Sequence, residues 1–556
     1  MFYYIAANLI LADVHLVICL VVTIIWLATA WRPHTSENDN NGKIPSLLEI
    51  TLSELICGLE AQRFASATLV KAYLHRIKEV DHEFHSLIQT NPDTLSIAHA
   101  LDAERRTSGP RGPLHGIPIL LKDNIVTLDR MDSTCGSYTL VGARPAKESA
   151  AVTALRRSGA IILGKANMAQ WAGFRSTSGC SGWSARGGQC TGPFYKGMKT
   201  SGSSSGSAVA TALGLGFAAL GTETCYSIVS PAERASVVGF KPTRGLIPSE
   251  GIIFASERLD TVGLLTRTIV DASEILQEIM RYTNEGAHDS HSRLRDALKS
   301  SCSSTSLNGV KIGVPSNVAD LIGVHPAKLK AFVKALSLLE MAGADIVQDI
   351  DIIGLNEFER LTQVERNILL DTEMKLAINK YLSSLCTNPQ NIKTLDDLIV
   401  FTKSHPKEEY PQRNVAVLER ALATDPNDDL YQEMLAKDAW FAGDGGIQGT
   451  LKRHRLDILL TPSLSPTLNS LAAKAGSPCI SIPMGRYPVG TEVTLDLGNG
   501  LVNVAPGLPF SMYVFGMVGG DADVLNVGYA FEQMTKLRQW SGMYLMPKTE
   551  IGDIVS

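Results

Sequence analysis

The sequence predicts an α/β fold, on three observations. Apolar residues recur at threes and fours from Leu52 to Val80, the spacing of a buried helix face. Ile117-Pro118-Ile119-Leu120-Leu121 is an unbroken apolar run and reads as a buried strand. Glu148 to Gly159 reads as a helix ending at glycine, with Ala160 to Leu163 as a strand directly after it.

The elements follow in chain order. The first helical region places Leu55, Ile56 and Leu59, then Leu69, Ala72, Tyr73 and Ile77, on its periodic face, with Thr51 or Ser53 as its cap. Ala100 to Gly112 is charged and then turn-rich. Ser207 to Leu220 is rich in alanine and glycine and is expected to pack closely on its neighbours. Asp260-Thr261-Val262-Gly263 and Thr266-Arg267 read as a turn and helix start of structural use. Asn284 to Ser306 is polar and serine-rich, and reads as an exposed linker. Val310 to about Lys437 reads as a helical elaboration. Leu459-Leu460-Thr461-Pro462 and Cys479-Ile480-Ser481-Ile482-Pro483 read as late strands. Leu508 to Met512 precedes a final strand and the helix holding Phe531, Glu532 and Gln533. There is no internal repeat.

Length alone, at 556 residues, suggests several domains. A content of 45% hydrophobic and 19% charged residues is that of a globular enzyme. The formal net charge of −5 argues against a nucleic-acid partner. The nine cysteines are scattered, without a Cys-x-x-Cys pair, and read as reduced structural thiols. The 12 histidines show no His-Glu-x-x-His or comparable arrangement, so no metal and no redox cofactor are expected.

The N-terminus carries an uncharged, mostly apolar run from Leu16 to Trp31. It predicts one transmembrane helix, starting near Ala12 or Val14 and ending at Trp31, with Arg32 as an interfacial anchor. The rival is a secretory signal peptide cleaved after Ala28-Thr29-Ala30. No lysine or arginine precedes the run, whereas Arg32 and Lys43 follow it, which places the catalytic body in the cytosol. The absence of any Asn-x-Ser/Thr acceptor agrees with that side. The expected organisation is a membrane span over 1–32, a polar linker over 33–50 and a catalytic domain over 51–545.

Chemistry concentrates in two stretches. Lys122-Asp123-Asn124 ends the apolar run at Leu121. Ser201-Gly202-Ser203-Ser204-Ser205-Gly206-Ser207 is a serine–glycine loop, followed by Gly221-Thr222-Glu223-Thr224-Cys225-Tyr226-Ser227-Ile228-Val229. A serine hydroxyl attacks a carbonyl only once a base takes its proton. A lysine serves as that base when neutral, so its pKa must fall from about 10.4 towards 7–8. Burial at the end of an apolar strand drives an amine that way. Two decoys fail. Gly202 to Gly206 fits a nucleophile elbow, but Phe194 to Thr200 is not the hydrophobic strand the elbow requires. Gly159 to Ala166 approaches a phosphate loop, but its middle is an apolar strand and Ala166 has no hydroxyl for magnesium.

These residues resemble the amidase signature family, from about Leu52 to about Gln533. The resemblance implies one α/β unit, a large mixed twisted sheet surrounded by helices. It implies Ser227 as nucleophile, Lys122 as base and Ser203, on a cis peptide, as the bridge between them. It places the oxyanion hole on the backbone of Thr224, Cys225, Tyr226 and Ser227. The turn holding Met168 and Trp171 is placed at the substrate pocket, beside Ser203. The sequence departs from the family at three points. Cys225-Tyr226 stands where Gly-Gly or Asp-Gly is common, Val229 where arginine is frequent, and Ser201 where the loop has its first glycine. The implied activity is hydrolysis of a small-molecule or lipid-like carboxylic amide through an acyl-serine. The alternatives are amide transfer to an amine, or an amidase-fold binding protein impaired at Cys225-Tyr226.

Overall fold

Eleven strands make one mixed sheet: β1 (Leu87–Thr90), β2 (Pro118–Lys122), β3 (Ile161–Ala166), β4 (Ala218–Glu223), β5 (Val238–Lys241), β6 (Thr261–Thr266), β7 (Lys311–Pro315), β8 (Asp345–Ile350), β9 (Ile458–Thr461), β10 (Cys479–Arg486) and β11 (Pro509–Gly516). Their order across the sheet is β1-β3-β2-β4-β6-β5-β10-β11-β9-β7-β8. The structure is a computed structural model that describes residues 44–178, 181–283, 290–538 and 542–555. Strands β3, β2 and β4 run parallel, as do β9, β7 and β8. The central strands from β4 to β9 pair antiparallel. Every residue of β2, β3, β4 and β6 is buried, which is why these strands read as apolar or small and do not alternate.

The first helical region divides into α1 (Leu52–Glu60) and α2 (Ser66–Phe84). Thr51 and Glu54 form a reciprocal capping box at the start of α1. The periodic pattern hid the break. Gln62 takes a left-handed backbone, and the Phe64 ring folds onto Gly58, so closely that a Cβ there would lie 2.3 Å from it. Further along lie α3 (Ala150–Arg157), α4 (Ser205–Ala212) and α5 (Val229–Ala235). α6 (Gln363–Ser383) and α7 (Asp429–Ala442) belong to the expected helical elaboration, and α8 (Asp521–Thr535) packs on β10 and β11.

Three expectations change. Thr261 to Thr266 is a central strand and not a turn and helix start. Its threonines spend their hydroxyls on nearby carbonyls, Thr266 Oγ1 on Thr268 O at 2.8 Å, so polar residues sit in a buried strand. The expected linker contains a helix over Ser290–Ser301, with Leu298 fully buried. The expected single-pass membrane protein is corrected as well. Among the described residues no helix is long and apolar enough to cross a membrane. The 21-residue α6 carries Glu365, Arg366, Asp371, Glu373, Lys375 and Lys380, charges that a bilayer core rejects. The span over 1–32 and its signal-peptide rival lie outside the described residues. The membrane partner and the cytosolic placing of the catalytic body rested on that span and lose their support with it.

Candidate active site

Lys122 closes β2, between the parallel strands β3 and β4. It is fully buried. Its Nζ lies 2.7 Å from Ser203 Oγ, 2.8 Å from Thr222 Oγ1 and 2.9 Å from Thr222 O. Asn124 Nδ2 donates to Thr222 Oγ1 at 3.0 Å, which fixes that hydroxyl. Burial pushes the amine down to about 7, against the opposing pull of Asp260 and Glu223.

Ser203 sits in the loop that enters α4, and its peptide bond to Gly202 is cis. The loop is tied on both sides: Ala169 N donates to Ser203 O, and Ser204 N donates to Ser227 O, both at 3.0 Å. Gly206 allows this approach. A Cβ there would lie 2.1 Å from Ser86 O and 2.5 Å from Asn167 N.

Ser227 lies in the turn from β4 to α5. Glu223, the last residue of β4, organises this turn. Its Oε2 accepts from Ile228 N at 2.6 Å and Val229 N at 3.0 Å. The chain between is left arched, and among the described residues the N–H groups of Thr224, Cys225, Tyr226 and Ser227 make no hydrogen bond. Thr224 Oγ1 donates to Asp260 at 2.7 Å, which anchors the arch to the start of β6. Burial raises Glu223 to about 7 and Asp260 to about 6. Ser227 is 9% exposed, and its Oγ makes no hydrogen bond among the described residues, including to Ser203. Tyr226 is 36% exposed beside it. Burial pushes the Cys225 thiol up to about 11, which leaves it protonated and a poor nucleophile near neutral pH.

Met168 and Trp171 are buried with Val126, Ile253, Met374 and Ile378, so α6 packs directly onto their turn. Sequence reasoning missed what holds this turn. Glu408 is fully buried and accepts from Ser137 Oγ (2.7 Å), Tyr138 N (2.7 Å), Gln170 Nε2 (2.6 Å) and Arg175 Nη1 (3.0 Å). Arg175 is equally buried. Glu408→Ala strips the carboxylate from a buried guanidinium and is expected to cost about 3–5 kcal/mol. The measurement is the urea midpoint, and a loss under about 1 kcal/mol would show that water replaces the carboxylate. Thr222, Glu223 and Asp260 were also missed as partners of the site. The Gly-Thr-Glu-Thr run was the signal for the first two, and Asp260 stood in Asp260-Thr261-Val262-Gly263, a segment read as purely structural.

An arch of free N–H groups beside a serine, with a second serine on a buried lysine, is an arrangement that can serve acyl transfer. The profile of the Amidase family matches residues 68–525. The chain belongs to the amidase family. An amidase-family protein of Arthroderma benhamiae is 39% identical over 92% of this chain and 90% of its own length. One of Arabidopsis thaliana is 32% identical over 89% and 91%. The native peptide amidase of Stenotrophomonas maltophilia superposes with a TM-score of 0.77 at 32% identity, covering 89% of this chain and 99% of that one. The protein is a hydrolase of carbon–nitrogen amide bonds with the α/β fold of the amidases.

Proposed function

We propose that the protein hydrolyses a small-molecule carboxamide through an acyl-Ser227 intermediate, with Ser203 as proton bridge and Lys122 as base. The contact of 2.7 Å between the buried Lys122 Nζ and Ser203 Oγ carries this reading. A neutral lysine has two N–H donors and one lone pair. Thr222 O and Oγ1 take the donors, so the lone pair faces Ser203. Ser227 Oγ bonds to the amide carbon as its proton passes to Ser203 and the Ser203 proton to Lys122. The oxyanion is held by the free N–H groups of the arch from Thr224 to Ser227. Lys122 returns its proton through Ser203 to the amide nitrogen, the C–N bond breaks and the amine departs. Water then attacks the ester carbonyl by the same relay and frees the acid and Ser227. Likeness to a peptide amidase makes peptide-type carboxamides the first substrates to try.

A fluorophosphonate is expected to add one phosphonyl group, on the peptide containing Ser227, read by intact mass and peptide mapping. A folded protein that takes no label would overturn the reading. The labelling rate is expected to rise about tenfold per pH unit below the Lys122 pKa of about 7 and to level above it. Glu223 acts in the same direction, because its protonation as pH falls loosens its grip on Ile228 and Val229. A rate still climbing tenfold per unit at pH 9 would return Lys122 to an ordinary lysine.

A further inference from the structure

The break between α1 and α2 opens on a cavity of about 590 Å³. Cavities of roughly 300–1,000 Å³ take whole small molecules. Arg63, from the break, lines it with Arg105 and Arg106, from a helix over Thr94–Ser108. Leu59, Phe64 and Pro110 give it apolar wall. Lys122, Ser203 and Ser227 do not line it, so it lies apart from the relay.

The chain leaves these arginines largely unspent. Among the described residues none of the three forms an ion pair, and the side chains of Arg63 and Arg106 make no hydrogen bond. Arg105 spends only Nη2, on His115 O at 2.6 Å. The Nε atoms of Arg63 and Arg105 are enclosed, whereas Arg63 Nη1 and Nη2 and Arg105 Nη1 are solvent-accessible and unbonded. Arg106 is exposed. Two acids share the cavity. Asp102 turns both oxygens to the start of α2, accepting from Ser66 N at 2.8 Å and Ala67 N at 3.0 Å. Glu60 is exposed and likewise forms no ion pair. The lining therefore carries positive excess, and a cleft lined by one sign of charge concentrates ions of the other.

The chemistry of the anion follows from the number of arginines and the space. A guanidinium grips carboxylate or phosphate through paired N–H groups. A carboxylate has two oxygens to share. A phosphomonoester has three, with a charge of about −1.5 to −2 near pH 7, and so can serve three arginines together. The cavity far exceeds a bare phosphate, and its apolar wall suits an organic body. We propose that this cavity binds a free phosphomonoester with a compact apolar body, its phosphate held by Arg63, Arg105 and Arg106.

The test is calorimetric titration of the full-length protein near neutral pH with phenyl phosphate, inorganic phosphate and phenylacetate. Phenyl phosphate is expected to bind at one site per chain, about tenfold tighter than inorganic phosphate, which lacks the ring, and than phenylacetate, which offers a carboxylate. Arg63→Gln and Arg106→Gln are each expected to weaken phenyl phosphate by about tenfold, the worth of one charge-assisted hydrogen bond. Neither side chain bonds within the chain, so the thermal midpoints should stay with the parent's and show both variants folded. No saturable binding of phenyl phosphate, or phenylacetate binding equally well, overturns the proposal. Binding that neither substitution weakens overturns it too, since it places the ligand at another site, the oxyanion arch included. Phosphatidic acid carries the same group on a surface. Protein that cosediments with phosphatidic-acid vesicles but binds no phenyl phosphate in solution also overturns the free-ligand reading.

Discussion

Ser227→Ala is expected to lower kcat on a carboxamide by about 10⁶-fold, the scale of loss when a serine hydrolase is stripped of its nucleophile. The fold is expected to survive. Ser227 Oγ has no hydrogen-bond partner among the described residues, so its removal leaves no buried group unpaired. The tie that matters structurally is Ser204 N to the Ser227 carbonyl at 3.0 Å, and alanine keeps it. Stability should therefore stay within about 0.5 kcal/mol of the parent. The measurements are the initial rate of ammonia release and the thermal midpoint, taken on the same preparation. Activity retained above about one hundredth of the parent would assign the attack to a different hydroxyl. Ser230 would be the next to replace, since it lies one helical turn on, with its Oγ 2.7 Å from Ser201 Oγ.

Lys122, Ser203 and Ser227 were singled out because each stands in a short run of distinctive composition, and the fold brings Lys122 and Ser203 into contact. An apolar strand ends in lysine, a loop holds only serine and glycine, and a Gly-Thr-Glu-Thr turn leads to a serine. What supports them was not legible, because it comes from remote parts of the chain. Asp260 reaches Thr224, Arg258 reaches Glu373 and Asp438, and Glu408 gathers Ser137, Gln170 and Arg175. None of these contacts leaves a periodicity or a spacing in the sequence. Glu408 in particular sits among charged residues, in Pro406-Lys407-Glu408-Glu409, and reads as solvated until the fold buries it completely. The fold was misread wherever polar composition and burial part company. β6 carries Thr261 and Thr266 into the sheet, and the helix over Ser290–Ser301 is serine-rich. Ser301 Oγ bonds back to Leu298 O at 2.8 Å, so a residue typical of linkers serves here to close a helical turn. Cys225-Tyr226 is the opposite case, a visible departure whose consequence needed the structure. The arch keeps its four free N–H groups with side chains in place of glycine, because Glu223 and Asp260 hold it from both ends.

Lys122→Met is expected to lose about 10²- to 10⁴-fold in kcat/KM, the usual worth of a general base, and to gain heat stability near neutral pH. Both follow from one fact, that the site forces an amine to sit where its charge is disfavoured. The folded amine gives up its proton at about 7, the unfolded one near 10.4. Between these values the unfolded chain binds more protons, so the parent's stability rises with pH across that window. Below about pH 7 both states are protonated and the penalty is complete, on the order of 5 kcal/mol. The three hydrogen bonds to Ser203 and Thr222 return roughly 1 kcal/mol each. Methionine, similar in length and uncharged, removes the penalty together with those bonds. The variant should therefore unfold later than the parent at pH 7. Its advantage, about 2 kcal/mol at most, should shrink by about 1.4 kcal/mol per pH unit, vanish near pH 8 and reverse by pH 9. Glu223, Asp260 and Lys165 also titrate from buried positions, but they are common to both proteins and largely cancel in the difference. The measurement is the difference in thermal midpoint between the two proteins at pH 7, 8 and 9. Parallel curves, with the variant displaced equally at each pH, would mean that Lys122 keeps its proton across neutral pH, and a protonated amine cannot accept one from Ser203.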